Sequence, residues 1–338
     1  MHALFDLYGW EVNSYDTIQQ GLINRTYTVQ TTSNEYILQS INHNVFKNPA
    51  AIDANINAIG SYIKHNIPDY LYTHLIPTIH GNTLIEWEGG YYRAFNKIEG
   101  YALSVLNNKN QVEEAAKQFA KFTYVLKDFD AHSLNDTLVQ FHDLNYRYQQ
   151  FSNAIQNGNP QRLHQCHNEI KLLLSLKKYV DTYNRFIQHN EVKKRVTHHD
   201  TKISNVLFQK VNALEKAICV IDLDTTMAGY FISDVGDMCR TCLCPVSEEE
   251  KDLNKIWIDA DKWESLRAGY LYYMKEELSN FEMDHFFFSG QFLIYMQALR
   301  FLTDHLNNDI YYGVSYEGQN YQRTLNQIRL LEVFNTLY

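Results

Sequence analysis

Residues 197–208 read THHDTKISNVLF, and residues 220–240 read VIDLDTTMAGYFISDVGDMCR. The first segment sets His198, Asp200, Lys202 and Asn205 in the pattern H-x-D-x-K-x-x-N. The second sets Asp222 and Asp224 directly after the apolar run Ala217–Ile221. Phosphoryl transfer needs this inventory: a carboxylate near an attacking hydroxyl, hard oxygen ligands for Mg²⁺, and a cation against the developing charge. Asp200 is the candidate base, and Asn205 and Asp222 are candidate metal ligands, with Asp224 either a secondary ligand or a residue that supports the ligands from behind. Lys202 supplies a point charge two residues past the base. His198 belongs to the same catalytic set as the residue that holds the loop by a hydrogen bond.

Protein kinases carry H-R-D-x-x-x-x-N followed by D-F-G; here I-D-L-D stands in the second place. Either segment alone is common, the first by chance and the second as a strand end with a capping Asp. Together, in this order and spacing, they resemble the aminoglycoside phosphotransferase and choline kinase superfamily, small-molecule kinases on a protein-kinase-like fold. The string from Val220 to Arg240 is most similar to the bacterial N-acetylhexosamine 1-kinases. So are YILQSINHNVFKNP at 36–49, FHDLNYRYQQF at 141–151 and LRFLTDHLNNDIYY at 299–312.

The resemblance implies an α+β, two-lobed fold. A nucleotide-binding lobe with an antiparallel sheet is expected over residues 1–98, and a mainly helical catalytic and acceptor-binding lobe over 99–338. It also implies ATP as donor, Mg²⁺ as cofactor, and the anomeric hydroxyl of N-acetylgalactosamine or N-acetylglucosamine as acceptor. Spacing and composition do not choose the acceptor, because the same catalytic set serves homoserine, choline, methylthioribose and aminoglycosides.

The N-terminal segments Tyr15–Gln20, Thr26–Thr31 and Glu35–Ile41 read as strands, rich in β-branched and aromatic residues and separated by turn residues. The hairpin Gly21–Thr26 occupies the place of a kinase phosphate loop but keeps only Gly21 of its glycines. The resemblance places Gly21, Asn24, Arg25 and Thr26 over the phosphates. It also expects a Lys or Arg on the third strand, where Gln39 stands, and a partner Glu on the helix near 50–65, which offers Asp53, Asn55 and Asn57 instead. A buried Glu without its cation would be costly, so their joint loss is coherent. Two readings follow. Either the phosphates are held by Mg²⁺, Lys202 and another cation such as Arg25 or Lys47, or the chain is a nucleotide-binding pseudokinase acting through a partner. Strands at Thr83–Trp87 and Tyr91–Lys97 lead to a hinge at Ile98–Gly100, where Phe95 and Ile98 are the expected walls of a base pocket.

From Asn110 onward helical periodicity dominates. Val112, Ala116, Phe119, Thr123 and Leu126 form one apolar face. Further helices are expected at Phe141–Ile155, Leu163–Gln188, Asp261–Asn280 and Met283–Asn308, and Ser247–Glu250 has the spacing of a capping box. Asp234 and Asp237 should brace the catalytic loop. Arg300 and Asp304 lie four apart on one helix face; they read as a surface ion pair or, with Tyr316, as recognition of a hydroxyl-rich acceptor.

The net charge of −9, without a basic run, points away from a nucleic-acid partner. No charged-then-apolar leader is present, and the apolar stretch Phe286–Leu299 is too short for a bilayer of about 30 Å. A cytoplasmic protein without a membrane partner is expected. Cys239, Cys242 and Cys244 have no second ligand group at zinc spacing, so buried free thiols are the reading.

Overall fold

The computed structural model describes residues 1–18, 23–212 and 214–338. A short helix α1 (His2–Asp6) precedes strands β1 (Val12–Ile18), β2 (Arg25–Thr31) and β3 (Glu35–Ile41). Helix α2 (Pro49–Asn66) follows, started by Asn48, whose side chain caps the Ala51 amide, and by Pro49 at its first turn. Strands β4 (Leu84–Trp87) and β5 (Gly90–Asn96) complete an antiparallel five-stranded sheet of order β1-β2-β3-β5-β4.

Strand alternation divides that sheet into two faces. Val29, Leu38, Ile85 and Ala94 pack with Leu4, Phe5 and Tyr8 of the N-terminal segment into a small separate core. The opposite face carries Ile37, Gln39, Arg93 and Phe95. Gln39 and Arg93 are direct cross-strand partners, a pairing that matters below.

After β6 (Tyr101–Ala102) the chain is mainly helical: α3 (Lys109–Val125), α4 (Leu144–Asn157), α5 (Pro160–Gln165), α6 (His167–Ser175) and α7 (Lys178–Gln188). Three short ladders then build the centre. Strand β7 (Arg195–Thr197) pairs with β10 (Met227–Gly229), and β8 (Val206–Val211) with β9 (Leu214–Val220) and β6. Helices α8 (Phe231–Cys242), α9 (Ala260–Met274), α10 (Asn280–Asp284), α11 (Phe286–Leu306) and α12 (Gln319–Phe334) finish the fold. The expected α+β class holds, with antiparallel sheet first and helices after.

Two local expectations change. Leu163–Gln188 is three helices, broken at Cys166 and Leu176, where ψ opens to 17° and 14°. The breaks redirect the chain so that Leu173, Tyr183 and Phe186 all reach the core. Ser247–Glu250 starts no helix; it is a turn closed by the Glu250 amide on the Ser247 carbonyl. Its acids are drawn off by partners outside the turn instead: Glu248 to Arg240, Glu249 to Arg323 and Glu250 to Lys255. The true capping box is at Ser279 and Glu282. The five cysteines are free, four of them buried, and no group of three metal-ligating His, Cys, Asp or Glu occurs among the described residues. Among those residues no helix is long and apolar enough to cross a membrane.

Candidate active site

The loop from His198 to Asn205 leaves β7 and returns into β8. Two residues on it and opposite it sit in the left-handed region, His199 at φ 65° and Asp222 at φ 62°. Non-glycine residues pay for that conformation and hold it only where the surroundings fix it. Here they do. The carboxylate of Asp234, on the first turn of α8, accepts the amides of His198 (3.0 Å) and His199 (2.8 Å). Thr201 donates its hydroxyl to the Asp234 carbonyl at 2.8 Å, and Thr225 donates to the His198 carbonyl at 2.7 Å. The buried His198 accepts the Asp200 amide at Nδ1 (3.2 Å), so Nε2 carries the proton and donates to the Ile221 carbonyl (3.0 Å). One imidazole thus ties the catalytic loop to the strand end that precedes Asp222. Asp237 faces Arg240 on the same helix rather than the loop amides.

Four side chains converge on one cavity of about 450 Å³: Asp200, Lys202, Asn205 and Asp222. Lys202 Nζ lies 2.8 Å from Asp200 Oδ2. Burial opposes the charged form of Asp200. The Lys202 ammonium, by charge and by hydrogen bond, with help from His198 and Asn205, outweighs it and holds the carboxyl below its usual range. Lys202 is likewise pulled down by burial but raised overall by Asp200 and Asp222. Asn205 donates Nδ2 to the Asp200 carbonyl (2.9 Å) and carboxylate (3.0 Å), which turns its Oδ1 the other way. Burial, then the neighbouring Asp224 charge, push Asp222 up to about 7. An acid so crowded by other acids is stabilised by a cation. The Asp222 carboxylate and Asn205 Oδ1 are two hard oxygen donors, a set that fits Mg²⁺, which takes one or two protein oxygens and completes its shell with water and phosphate.

Asp224 is differently placed from Asp222. It is buried, one oxygen pairs with Arg93, and the other accepts Asn24 Nδ2 at 2.7 Å. Both oxygens are therefore engaged by the protein, in keeping with the supporting one of its two expected roles, although Asp224 also lines the cavity. On the sheet side, Asn24, Thr26 and Gln39 line the cavity. Gly21 lies outside the described residues. Arg25 and Lys47 are exposed and do not line the cavity, so neither is the missing cation. The buried cation next to Gln39 is Arg93, which is 1% exposed, stands behind Gln39 rather than on the cavity wall, and donates to Gln39 Oε1 from Nε (3.1 Å) and Nη2 (2.8 Å). Sequence reasoning missed it because an arginine on the next strand becomes Gln39's neighbour only through the β3–β5 register. The clue was its position on the inward phase of YYRAFN, between Tyr91 and Phe95.

The far end of the cavity is apolar, walled by Ile18, Ile37, Phe95, Ile98, Leu207 and Ile221. The chain there runs from β5 through Asn96 and Lys97 into Gly100, whose Cβ position would crowd the Phe208 carbonyl and Leu207. A flat apolar slot beside backbone groups, opening onto carboxylates, suits a purine nucleotide.

On the other side of the catalytic loop, His199 meets His142, which stacks on Phe141 at 4.4 Å. Arg300 lies over the rings of Phe141, Tyr312 and Tyr311 at 5.1, 5.3 and 5.9 Å. Arg147 donates twice to the Phe141 carbonyl. Burial, with the charges of His199, Arg300, Arg147 and Arg240, keeps His142 far below its usual value and neutral. Arg300 makes no ion pair with Asp304; it donates to Gln297 at 3.1 Å. Asp304 is buried, and its oxygens accept the amides of Tyr311 (2.8 Å) and Tyr312 (2.9 Å) and the Asn320 side chain. It thus secures the loop that carries Tyr311 and Tyr312 beside Arg300, rather than presenting a carboxylate to an acceptor. Tyr316 stands further along that loop under Lys251.

Comparison with known proteins bears on this geometry. The model of the phosphotransferase enzyme family matches residues 14–268. Similar solved structures include spectinomycin phosphotransferase in complex with ADP and spectinomycin, at 12% identity and TM-score 0.62, covering 99% of this chain and 97% of that one. The microcompartment-associated aminopropanol kinase is similar at 14% identity and TM-score 0.66, with 99% and 96% covered. The ethanolamine kinase of Plasmodium vivax is similar at 14% identity and TM-score 0.56, with 96% and 84% covered. At these identities the likeness establishes the fold, a kinase-like one with an antiparallel-sheet N-lobe.

Proposed function

Because the chain belongs to the phosphotransferase enzyme family, we propose that it transfers the γ-phosphate of ATP, with Mg²⁺, to the anomeric hydroxyl of N-acetylgalactosamine or N-acetylglucosamine. The observation that carries the transfer is the convergence of Asp200, Lys202, Asn205 and Asp222 on the mouth of one nucleotide-sized cavity. Phe95 and Ile98 wall the base, and Asn24, Thr26 and Gln39 face the phosphates. Asp222 and Asn205 would hold the metal, which would supply positive charge against the phosphates. Asp200, kept ionised by Lys202, orients and takes the proton of the acceptor hydroxyl. Lys202 steadies the transferring group. His198 keeps Asp200 and Asp222 in register.

On the acceptor side, the support for a sugar is the group of Arg300, Phe141, Tyr311 and Tyr312 beyond His199. Aromatic faces suit a sugar ring, and guanidinium donors suit its hydroxyl and acyl oxygens. With Arg147 beside Arg300 the region is cationic, which argues against polycationic aminoglycosides and choline. The resemblance of residues 36–49, 141–151, 220–240 and 299–312 supports the same branch. A small amino alcohol is the second reading, favoured by the aminopropanol and ethanolamine kinases among the similar structures.

The test is ADP release with Mg-ATP against N-acetylgalactosamine, N-acetylglucosamine, galactose, homoserine, ethanolamine, choline and kanamycin. Turnover confined to the N-acetylhexosamines is expected. Asp200→Asn should lower kcat by about 10²–10⁴-fold, the range for a lost general base, with nucleotide affinity kept. Turnover only on amines would discard the sugar assignment, and full activity in Asp200→Asn would discard the base.

A further inference from the structure

We propose that Arg93 is the positioning residue of the nucleotide site: it takes over the work of a strand-β3 cation by acting through Gln39 and Asp224. The inference rests on the nucleotide reading of the cavity. It starts from which groups can donate. A guanidinium has five N–H donors and no acceptor. Gln39 must therefore turn its carbonyl oxygen to Arg93, and it does, accepting from both Nε and Nη2. That fixes the amide. Its NH₂ is left facing Thr26 Oγ1 at 3.2 Å, on the cavity side of the strand, where Thr26 and Gln39 are both lining residues. An unaided glutamine presents oxygen or nitrogen with little preference, and its oxygen would repel a phosphate. Here it can present only donors, with a buried positive charge directly behind them.

The same guanidinium pairs with Asp224 through Nη2. The other Asp224 oxygen holds Asn24, and Asn24 Oδ1 in turn accepts the Asn42 amide at 3.0 Å. One buried cation on β5 thus sets the Gln39 amide, the second Asp of I-D-L-D, and Asn24 of the phosphate hairpin. On α2, Asp53 sits within reach of the Arg93 charge while bonded to Thr83 and Asn57. The cation expected on β3 stands one strand over, its ion-pair partner is Asp224 rather than an acid of α2, and Gln39 is the contact group between it and the ligand.

The experiment reads nucleotide affinity alone, by calorimetric titration of the full chain with ADP and Mg²⁺, so it is independent of acceptor identity. Gln39→Met and Arg93→Met should each weaken binding by about tenfold or more, the scale of one hydrogen bond to a charged group. The double variant should be no weaker than Arg93→Met, because Gln39 is useless without its orienting partner. Gln39→Lys in the Arg93→Met background, which puts a cation back on β3, should recover most of the affinity. Multiplicative losses in the double variant, or no rescue by the lysine, would overturn the proposal and leave Arg93 a structural residue.

Gln39→Glu covers the case in which Arg93→Met does not fold. It keeps the oxygen for Arg93, forms an ion pair with it, and lacks the donor. Affinity should fall at least tenfold with the melting temperature unchanged or raised, and undiminished affinity would refute the assignment. If the wild-type chain itself binds no ADP, the nucleotide reading falls, and this inference with it. If the wild type binds and every variant binds equally, only the inference falls.

Discussion

Removing the carboxylate of Glu282 should loosen the root of the catalytic loop from a distance. Glu282 is fully buried at the start of α10, where it accepts the Ser279 amide at 3.0 Å as half of a capping box. It also accepts Arg195 Nη1 at 2.7 Å and Nη2 at 2.9 Å, and the Lys193 amide at 3.3 Å. Arg195 opens β7, the strand that pairs with β10 at Gly229 and leads directly into His198. In Glu282→Ala the arginine, only 10% exposed, keeps its bond to the Glu277 carbonyl but loses its counter-charge. Breaking one side of a buried ion pair costs about 3–5 kcal/mol. Unfolding entropy near 2.1 cal/mol/K per residue gives about 0.7 kcal/mol/K for 338 residues. The melting temperature should therefore fall by about 4–7 °C in scanning calorimetry. Because β7 positions the loop, kcat should fall several-fold while nucleotide affinity, set by the sheet side of the cavity, is held. Glu282→Gln keeps an acceptor oxygen and the volume, and should recover part of both. A Glu282→Ala protein melting within about 1 °C of wild type would refute the idea that this pair carries the root of the loop.

Protonation of the buried His199 opposes folding in the same region, whereas the raised Asp222 and Asp234 take up protons as pH falls and work the other way. Burial holds His199 down to about 4, from an ordinary 6.5. The folded state refuses a proton that the unfolded chain accepts below that ordinary value, so stability is complete above it and is lost as pH falls toward 4. The loss from His199 alone should be about 2 kcal/mol at pH 5, and the lowered His142 and His198 act in the same direction. His199→Gln should therefore lose less stability, or gain more, between pH 7 and pH 5 than the wild type, and an identical pH dependence of the melting temperature in the two would contradict this. At the contact of α3 with α9, a Cβ on Gly269 would overlap the Glu113 carbonyl and Cα. Gly269→Ala should cost about 1–3 kcal/mol by overpacking, more than the roughly 1 kcal/mol of helix propensity it gains. Chemical denaturation reads the sign, and a stabilised variant would refute it.

The local elements were legible because they depend on near neighbours. Alternation over Glu35–Ile41 gives a strand in any context, and the stripe from Val112 to Leu126 gives a helix. The motif pair was legible because the loop His198–Asn205 and the turn at Asp222 each form within one short stretch of chain. Errors came where a partner outside the local motif outbid a local rule. Ser247–Glu250 has the letters of a capping box, yet its three acids are claimed by Arg240, Arg323 and Lys255. Asp304 has the spacing of a partner for Arg300, yet two loop amides and Asn320 take its oxygens. Asp224 stands like Asp222 in I-D-L-D, yet Arg93 and Asn24 each donate a hydrogen bond to one of its oxygens.

By itself, then, the sequence determined the order of strands and helices and the carboxylates that line the cavity, because hydrophobic period and motif spacing act over a few residues. Which cation serves Gln39 was decided only in three dimensions. Strand register brings Arg93 opposite Gln39 from 54 positions away, and burial in that place makes its charge too costly to leave unpaired.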